Sequence, residues 1–319
     1  MSRITRRAVV AGAVLAPFAA RAQTGPIRII VPYPAGGSVD ALARLAQAGL
    51  QQRLGATIIV ENRSGASGST GSLTVVKSPP DGNTWLLVFD NHGVNPALLP
   101  NYPFDNEKDL EPVTLVGTAP YMVATSPSKP YKSLADVVAA AKKAPGKVSY
   151  GSVGSGSIGH LAMVLLGKQA GVDLTHVPYR GGAPAASDAI AGHIDLVNGS
   201  AALITPHVAA GRLRPVWQHG AKRLPAHPNL PTVGEGGFPA AEANAWWGVY
   251  APAKTPKQII DRFRTALIET LREEKPSKLL TESQQMTLVF STPQELRQFE
   301  QEQSRMWSAV VRENGIKGD

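Results

Sequence analysis

The sequence contains no cysteine. Without a thiol, the chain can form neither disulfides nor thiolate metal sites. Charge is also scarce, because only 18% of the 319 residues are charged whereas 43% are hydrophobic. This balance excludes an intrinsically disordered chain and indicates a globular protein with a large core. The length is sufficient for about two domains of ordinary size.

The sequence signatures of common catalytic sites are missing as well. The chain has no G-x-S-x-G nucleophile elbow, no H-E-x-x-H motif and no Walker A lysine. Its seven histidines show no metal-ligand spacing, and no spacing identifies Asp40 and Asp195 as an acid–base pair. We therefore predict that the protein is not an enzyme and uses neither a metal nor a cofactor.

Residues 1–22 are typical of an export signal. Three arginines (Arg3, Arg6 and Arg7) precede an apolar run, Ala8 to Ala20, and Ala20-Arg21-Ala22 fits an A-x-A cleavage site. The apolar run is too short to span a membrane. We expect removal of this segment and a periplasmic mature protein. The paired arginines leave the twin-arginine route open beside the general secretory route.

The predicted removal of the leader lowers the positive charge. Four of the arginines that contribute to the formal net charge of +8 lie in it, which leaves +4 for the mature chain. No stripe of Lys and Arg with interleaved aromatic residues is present, so we expect no nucleic-acid partner. The remaining surplus favours encounters with small anions.

Strand, polar loop and helix alternate along both halves of the chain. Segments such as Thr84 to Phe89 are almost entirely apolar, as expected for strands buried on both faces of a parallel sheet. The repeated unit predicts an α/β fold. We assign residues 26–121 to a first domain and 122–224 to a second. Residues 225–319 are predicted to return to the first domain and end in helices.

Two of the loops place glycine and serine directly before a helix. One follows the first strand at residues 32–40, and the other spans 154–159 in the second half. Both aim the unpaired N–H groups of a helix N-terminus at one point, where an anion is stabilised. The second loop also matches G-x-G-x-x-G, but Asp173 precedes the next strand instead of following it. An exported enzyme that binds a nucleotide there is the alternative hypothesis.

Several longer motifs carry a resemblance to a known family. They are V-P-Y-P-A-G-G-S-V-D at 31–40, E-N-R-S-G-A-S-G at 61–68, D-G-N-T at 81–84, N-H-G-V-N-P at 91–96, Y-G-S-V-G-S-G-S-I-G-H at 150–160, V-P-Y-R-G-G-A-P at 177–184 and P-N-L-P-T-V at 228–233. Together they resemble the Bug family, the periplasmic solute-binding receptors of tripartite tricarboxylate transporters. The resemblance covers nearly the whole mature chain.

The resemblance implies a type II periplasmic-binding-protein fold, with two doubly wound α/β domains, an interdomain ligand cleft and a hinge. The expected ligand is a small carboxylate: a di- or tricarboxylate, an acidic amino acid or an aromatic acid. The expected partners are the permease subunits of a tripartite tricarboxylate transporter, and the receptor is expected to be a monomer. A receptor repurposed for signalling is an alternative.

The resemblance also implies the ligand-binding residues. From the first domain they are Tyr33, Pro34, Gly36, Gly37, Ser38 and Asp40, flanked by Ser67 and Asn91. From the second, Ser155, Gly156 and Ser157 are expected to hold a carboxylate at a helix N-terminus, with Tyr179, Gly181, Asp195 and Asn198 completing the wall. Val39 stands where the family often has threonine. Whether Asp40 complements the helix dipole or contacts the ligand is left open.

Overall fold

The computed structural model describes residues 25–318, so the predicted export signal lies outside the described residues. Strands β1 to β10 are Ile27–Val31, Ile58–Asn62, Thr84–Phe89, Leu110–Thr125, Ser149–Ser152, Thr175–Pro178, Leu196–Ser200, Arg214–Gln218, Asn244–Pro252 and Thr287–Leu288. Helices α1 to α11 are Ser38–Leu54, Ser69–Val76, Asn95–Leu98, Asn106–Asp109, Leu134–Lys143, Ile158–Ala170, Gly182–Ala191, Ala201–Ala209, Lys257–Arg272, Glu274–Lys278 and Pro293–Glu313. No helix in this part of the chain has the length and hydrophobicity that a membrane crossing requires.

The first lobe is built on the sheet order β2-β1-β3-β9. Strand β1 runs parallel to β2 and β3, and β9 joins β3 in the antiparallel direction. Every residue of β3 is buried, as its apolar sequence predicts for a strand covered on both faces. Helices α1 and α9 pack together on this sheet, where the Trp85 ring stacks on that of Phe263 at a centroid distance of 3.8 Å.

The second lobe repeats this design. Strand β5 runs parallel to β6 and β7, and the long strand β4 pairs antiparallel with β7 and β8. Parallel strands have their carboxyl ends at one edge, so the loops that follow β5, β6 and β7 meet there. Helices α6, α7 and α8 begin at this edge. It faces the corresponding edge of the first lobe.

Strand β4 belongs to both lobes. Its residues 110–120 pair with β9, whereas residues 121–125 pair with β7 and β8. A second crossing lies beside it, because the Tyr121 carbonyl accepts from the His219 N–H at 2.8 Å and the Tyr121 N–H donates to Ala243 O at 3.2 Å. Backbone pairing at Tyr121 therefore ties the crossing segments together.

The chain returns to the first lobe later than the sequence suggested. We predicted the return from residue 225, but Val233, Phe238 and Ala241 pack in the core of the second lobe. The return comes at Asn244, where β9 begins. The Pro/Gly-rich composition of residues 221–243 indicates a loop, but it carries no information about which core the loop covers.

The Trp85–Phe263 stack gives a test of the first-lobe core. Phe263→Ala removes a side chain that is 3% exposed, so it should lower the free energy of unfolding by about 3–5 kcal/mol. Urea denaturation measures the loss. Met306→Ala is the control, because this side chain is 50% exposed and its removal should change stability by less than about 0.5 kcal/mol. Equal effects of the two variants would contradict this packing.

Candidate functional site

A narrow pocket with a cavity volume of about 30 Å³ lies between the two lobes. Its first-lobe wall is the loop between β1 and α1, together with the end of β3. Its second-lobe wall is formed by the starts of α7 and α8. The lining residues are Tyr33, Pro34, Gly37, Ser38, Val39, Phe89, Val153, Gly181, Gly182, Ser200 and Leu203. No lysine, arginine or histidine is among them.

Helices α1 and α7 start at this pocket from opposite lobes. Each follows a glycine, Gly37 or Gly181, and neither has a side-chain N-cap. First-turn N–H groups have no intrahelical acceptor, and the helix dipole makes this end positive. Two such ends on one pocket create a region that favours an anion.

The lobes touch beside the pocket. A β-carbon at Gly181 would lie 2.9 Å from Pro34 Cδ, and one at Gly36 would lie 3.6 Å from Ala183 Cβ. Residue 181 therefore has no room for a side chain in this arrangement. The conformation is a closed one, in which the two walls meet around the pocket.

Asp40 holds the loop between β1 and α1. Its carboxylate accepts from the Gly36 N–H at 2.9 Å, from Arg44 Nε at 3.0 Å and from Asn62 Nδ2 at 3.0 Å. Burial raises the pKa of Asp40, but the hydrogen bonds outweigh it and keep the pKa below its usual range. Both carboxylate oxygens are engaged within the first lobe. This geometry favours a role in shaping the loop over direct contact with a ligand.

A second hydrogen-bond network supports the loop between β1 and α1. The Tyr33 hydroxyl donates to Asn91 Oδ1 at 2.6 Å and accepts from the Phe89 N–H at 3.1 Å. Asn91 Nδ2 in turn donates to the Ser67 carbonyl at 2.5 Å, and Asn95 Nδ2 donates to the same oxygen at 3.0 Å. The structure thus brings Tyr33, Ser67 and Asn91 together. Asn91 and Ser67 are not among the residues that line the pocket.

The three residues before α6 are already engaged by the protein. Ser157 Oγ caps the helix by accepting from the His160 N–H at 3.3 Å, and it donates to Gly154 O at 2.9 Å. The Gly156 N–H donates to His160 Nδ1 at 2.9 Å. Ser155, Gly156 and Ser157 are buried and do not line the pocket. Their expected contact with a ligand carboxylate is therefore not part of this arrangement.

A carboxyl group of the protein itself lies at the start of α6. Asp90 follows β3 in the first lobe, is fully buried, and accepts from the Tyr121 hydroxyl at 2.7 Å through Oδ2. Burial raises the pKa of Asp90 to about 8, against the opposing effects of the Tyr121 hydroxyl and the Ile158 N–H. Ile158 is the first residue of α6. Sequence reasoning missed Asp90, although an acid directly after a fully apolar strand was a visible signal.

The remaining predicted site residues of the second lobe differ in whether they line the pocket. Gly181 lines the pocket, whereas the Tyr179 hydroxyl donates to Asp188 Oδ2 at 2.6 Å. Asn198 is fully buried and its Nδ2 donates to the Gly159 carbonyl at 2.8 Å, so it supports the start of α6. Ser200 and Gly182 also line the pocket but were not predicted as site residues, although Gly182 lies within the motif at residues 177–184.

Asp195 lies at the wrong edge of the second-lobe sheet. It precedes β7, and its carboxylate accepts from Lys129 Nζ at 2.9 Å and from the Ser149 N–H at 3.0 Å. Ser149 is the first residue of β5, which runs parallel to β7. Asp195 therefore sits at the amino ends of these strands while the pocket lies at their carboxyl ends. We correct its assignment from a ligand contact to a structural ion pair.

Sequence comparison identifies the family. A family model described as "Tripartite tricarboxylate transporter family receptor" matches residues 42–316. The chain belongs to this receptor family. Protein BugT of Bordetella pertussis is 35% identical to this receptor over 299 residues, covering 92% of this chain and 90% of BugT. A UPF0065 protein from the tcbD-tcbE intergenic region of Pseudomonas sp. (strain P51) is 36% identical, covering 84% of this chain and 82% of that protein.

Solved structures confirm the predicted fold of this receptor. The structure titled "R. palustris Rpa4515 with adipate" has a TM-score of 0.87 and 31% identity, and the match covers 92% of this chain and 99% of that one. MatC (Rpa3494) from Rhodopseudomonas palustris, with bound malate, has a TM-score of 0.84 and 26% identity, covering 91% and 99% of the two chains. The chain therefore has the periplasmic-binding-protein fold and a solute-binding role.

The low pKa of Asp40 predicts that the fold loses stability in acid. Because the folded state holds this carboxylate ionised, Asp40 stabilises the fold above the unfolded pKa of about 4 and loses that effect as the pH falls further. Asp40→Asn should cost about 1–3 kcal/mol near neutral pH, and this difference should shrink in acid. Urea denaturation across this pH range tests it. Asp261→Asn, at an exposed pair with Lys257, is the control with little effect.

The raised pKa of Asp90 predicts the opposite dependence of stability on pH. The folded state retains this proton at a pH where the unfolded chain, with a pKa of about 4, releases it. The wild-type protein should therefore lose stability relative to Asp90→Asn between about pH 4 and pH 8, by at most about 1.4 kcal/mol per pH unit. Denaturation of both proteins through this window measures the difference. Parallel stability curves would show that Asp90 titrates normally.

Proposed function

We propose that this protein captures a small carboxylate in the pocket between its lobes and delivers it to the permease subunits of a tripartite tricarboxylate transporter. One observation supports an anionic ligand: the uncapped starts of α1 and α7 meet at the pocket from opposite lobes. A carboxylate held by both helices would link the two walls. Binding and lobe closure are thereby coupled, as in hinge closure around a ligand.

The pocket chemistry supports a carboxylate attached to a short carbon skeleton. Backbone N–H groups and hydroxyls of Ser38 and Ser200 supply donors, with no cationic side chain on the lining. The apolar side chains of Val39, Phe89, Val153 and Leu203 offer surface for the carbon atoms of the ligand. The adipate and malate of the two matched structures belong to this chemical class.

We assign two roles to the predicted site residues. Tyr33, Pro34, Gly37, Ser38 and Gly181 form the ligand wall, to which we add Gly182 and Ser200. A second group shapes the wall without lining it: Gly36, Asp40, Ser67, Asn91, Tyr179 and Asn198. The division rests on the pocket lining and the hydrogen bonds described above.

The alternative of a nucleotide at residues 154–159 has little support. A β-carbon at Gly156 would lie only 2.2 Å from Leu98 Cδ1, so this turn is packed against the first lobe. The family is one of solute-binding receptors, and we propose that this member catalyses no reaction. Export through the predicted leader and action as a periplasmic monomer are parts of the same proposal.

Calorimetric titration with adipate, malate, an aromatic acid and NAD tests the ligand class. At least one carboxylate should bind and raise the melting temperature, because it stabilises only the folded state. Ser38→Pro then tests the helix start: proline fits the first helical position but removes its N–H donor. We expect the Kd to rise roughly 10- to 100-fold, as for a lost hydrogen bond to a charged group.

Ser38→Ala is the matched variant, since it removes the hydroxyl and keeps the N–H group. It separates the contribution of the side chain from that of the backbone, and both variants should melt close to the wild-type temperature. Unchanged affinity in Ser38→Pro would refute the role of α1. Binding of NAD without any carboxylate binding would refute the receptor hypothesis itself.

A further inference from the structure

Proline limits the number of donors at the start of α7. The first three residues of this helix are Gly182, Ala183 and Pro184. Because proline has no N–H group, Gly182 and Ala183 are left as the backbone donors of the turn. Two neighbouring N–H groups match the two oxygens of one carboxylate.

The start of α1 already has a negative charge beside it. Asp40 is the third residue of the helix, and its carboxylate accepts from Arg44 Nε at 3.0 Å. Arg44 Nη2 also donates to Asn62 Oδ1 at 3.1 Å, so this guanidinium is engaged within the first lobe. Arg180, next to Gly181, is exposed and is not a lining residue. A doubly charged ligand would therefore meet the Asp40 carboxylate, while none of the described residues that line the pocket carries a positive charge to offset it.

Polar side chains on the lining are mostly engaged by the protein. The Tyr33 hydroxyl donates to Asn91 Oδ1 at 2.6 Å. Ser200 Oγ caps α8 by accepting from the Leu203 N–H at 3.3 Å. Ser38 carries the other hydroxyl on the lining. The donors that remain suit one carboxylate, placed between the starts of α1 and α7.

The start of α6 does not supply a position for a second carboxylate. Its Gly156 N–H donates to His160 Nδ1 at 2.9 Å, and the Ser157 N–H donates to Gly154 O at 3.2 Å. Neither Gly156 nor Ser157 lines the pocket. A ligand that extended from the pocket to this helix would have to break hydrogen bonds that the protein already makes.

The size and polarity of the cavity restrict the ligand further. Gly37 and Gly181, which precede α1 and α7, line the same cavity of about 30 Å³. This volume holds about two or three groups of the size of water, enough for one carboxylate group. The apolar part of the lining includes Val39, Phe89, Val153 and Leu203. A second ionised carboxylate against these side chains would lose its hydration without gaining hydrogen bonds, which is costly.

We propose that the ligand is a monocarboxylate with an apolar remainder, aliphatic or aromatic, and that the pocket discriminates against a second ionised carboxylate. The single carboxylate lies between the starts of α1 and α7, and the remainder contacts the apolar side chains of the lining. This inference rests on the proposed function, because it specifies the ligand of the same pocket.

Calorimetric titration of the wild-type protein with matched pairs of acids tests the proposal. Butanoate and succinate, hexanoate and adipate, and benzoate and terephthalate differ within each pair by one carboxylate. At neutral pH and constant ionic strength, the monocarboxylate should have a Kd at least about tenfold lower in every pair that shows binding. Monomethyl adipate, which keeps the length of adipate but carries one charge, should bind more tightly than adipate.

A cation introduced into the lining should change this preference. Val153→Lys places an ammonium group at a half-buried lining position, so it should reduce the preference for the monocarboxylate at least about tenfold. Val153→Met, with a side chain of similar length and no charge, is the control and should still prefer the monocarboxylate, whatever its affinity. Melting temperatures report whether both variants fold, and the wild-type pairs decide the question if Val153→Lys does not.

The outcomes distinguish this inference from the proposed function. A dicarboxylate that binds the wild-type protein as tightly as its matched monocarboxylate, or more tightly, overturns the inference and leaves a carboxylate receptor. Equal preferences in folded Val153→Lys and Val153→Met would also contradict it, because the charge of the ligand would then not determine selection. If no acid of either class binds, the proposed function itself is refuted, and the inference falls with it.

Discussion

Unpaired backbone N–H groups at helix starts are the constraint on which this molecule depends. Helices α1, α6 and α7 all begin at the facing edges of two sheets, and each start needs an acceptor or solvent. Helix α6 has an acceptor inside the protein, because Ser157 Oγ accepts from the His160 N–H. Helices α1 and α7 have no side-chain cap. The difference separates a helix start that the protein caps from two starts that face the pocket.

The absence of cationic side chains from the pocket lining follows the same logic. A lysine or arginine in the pocket would hold an anion through a full charge, and its desolvation would have to be compensated whenever the pocket is empty. Helix starts supply partial charge from groups that are rigid and already oriented. The Asp40 and Tyr33 networks keep the α1 start in place, so little reorganisation is needed when an anion arrives.

The sequence was most informative where local pattern determines structure. Thr84 to Phe89 was predicted as a buried strand with the observed bounds, and the T-P-Q-E sequence at 292–295 forms a capping box at the start of α11. Both depend on neighbours along the chain. The glycine at 181, assigned through the family resemblance, also lies on the pocket.

The predictions that differ from the structure depend on contacts between distant segments. Asp195 was assigned to the ligand wall through the family resemblance, but it precedes β7 and therefore lies at the edge of the sheet opposite the pocket. The loop at 154–159 was interpreted as an anion site, and no local feature reveals that Gly156 packs against the distant Leu98. Likewise, the segment after residue 225 covers the second lobe through Val233 and Phe238, because tertiary packing determines its position.

Strand β4 couples the folding of the two lobes. Residues 110–120 complete one sheet and residues 121–125 complete the other, so neither sheet is whole without the same continuous strand. Loss of β4 from either sheet exposes strand edges in both. We therefore expect the two lobes to unfold together, because a chain that lacks β4 would lack a strand of each sheet.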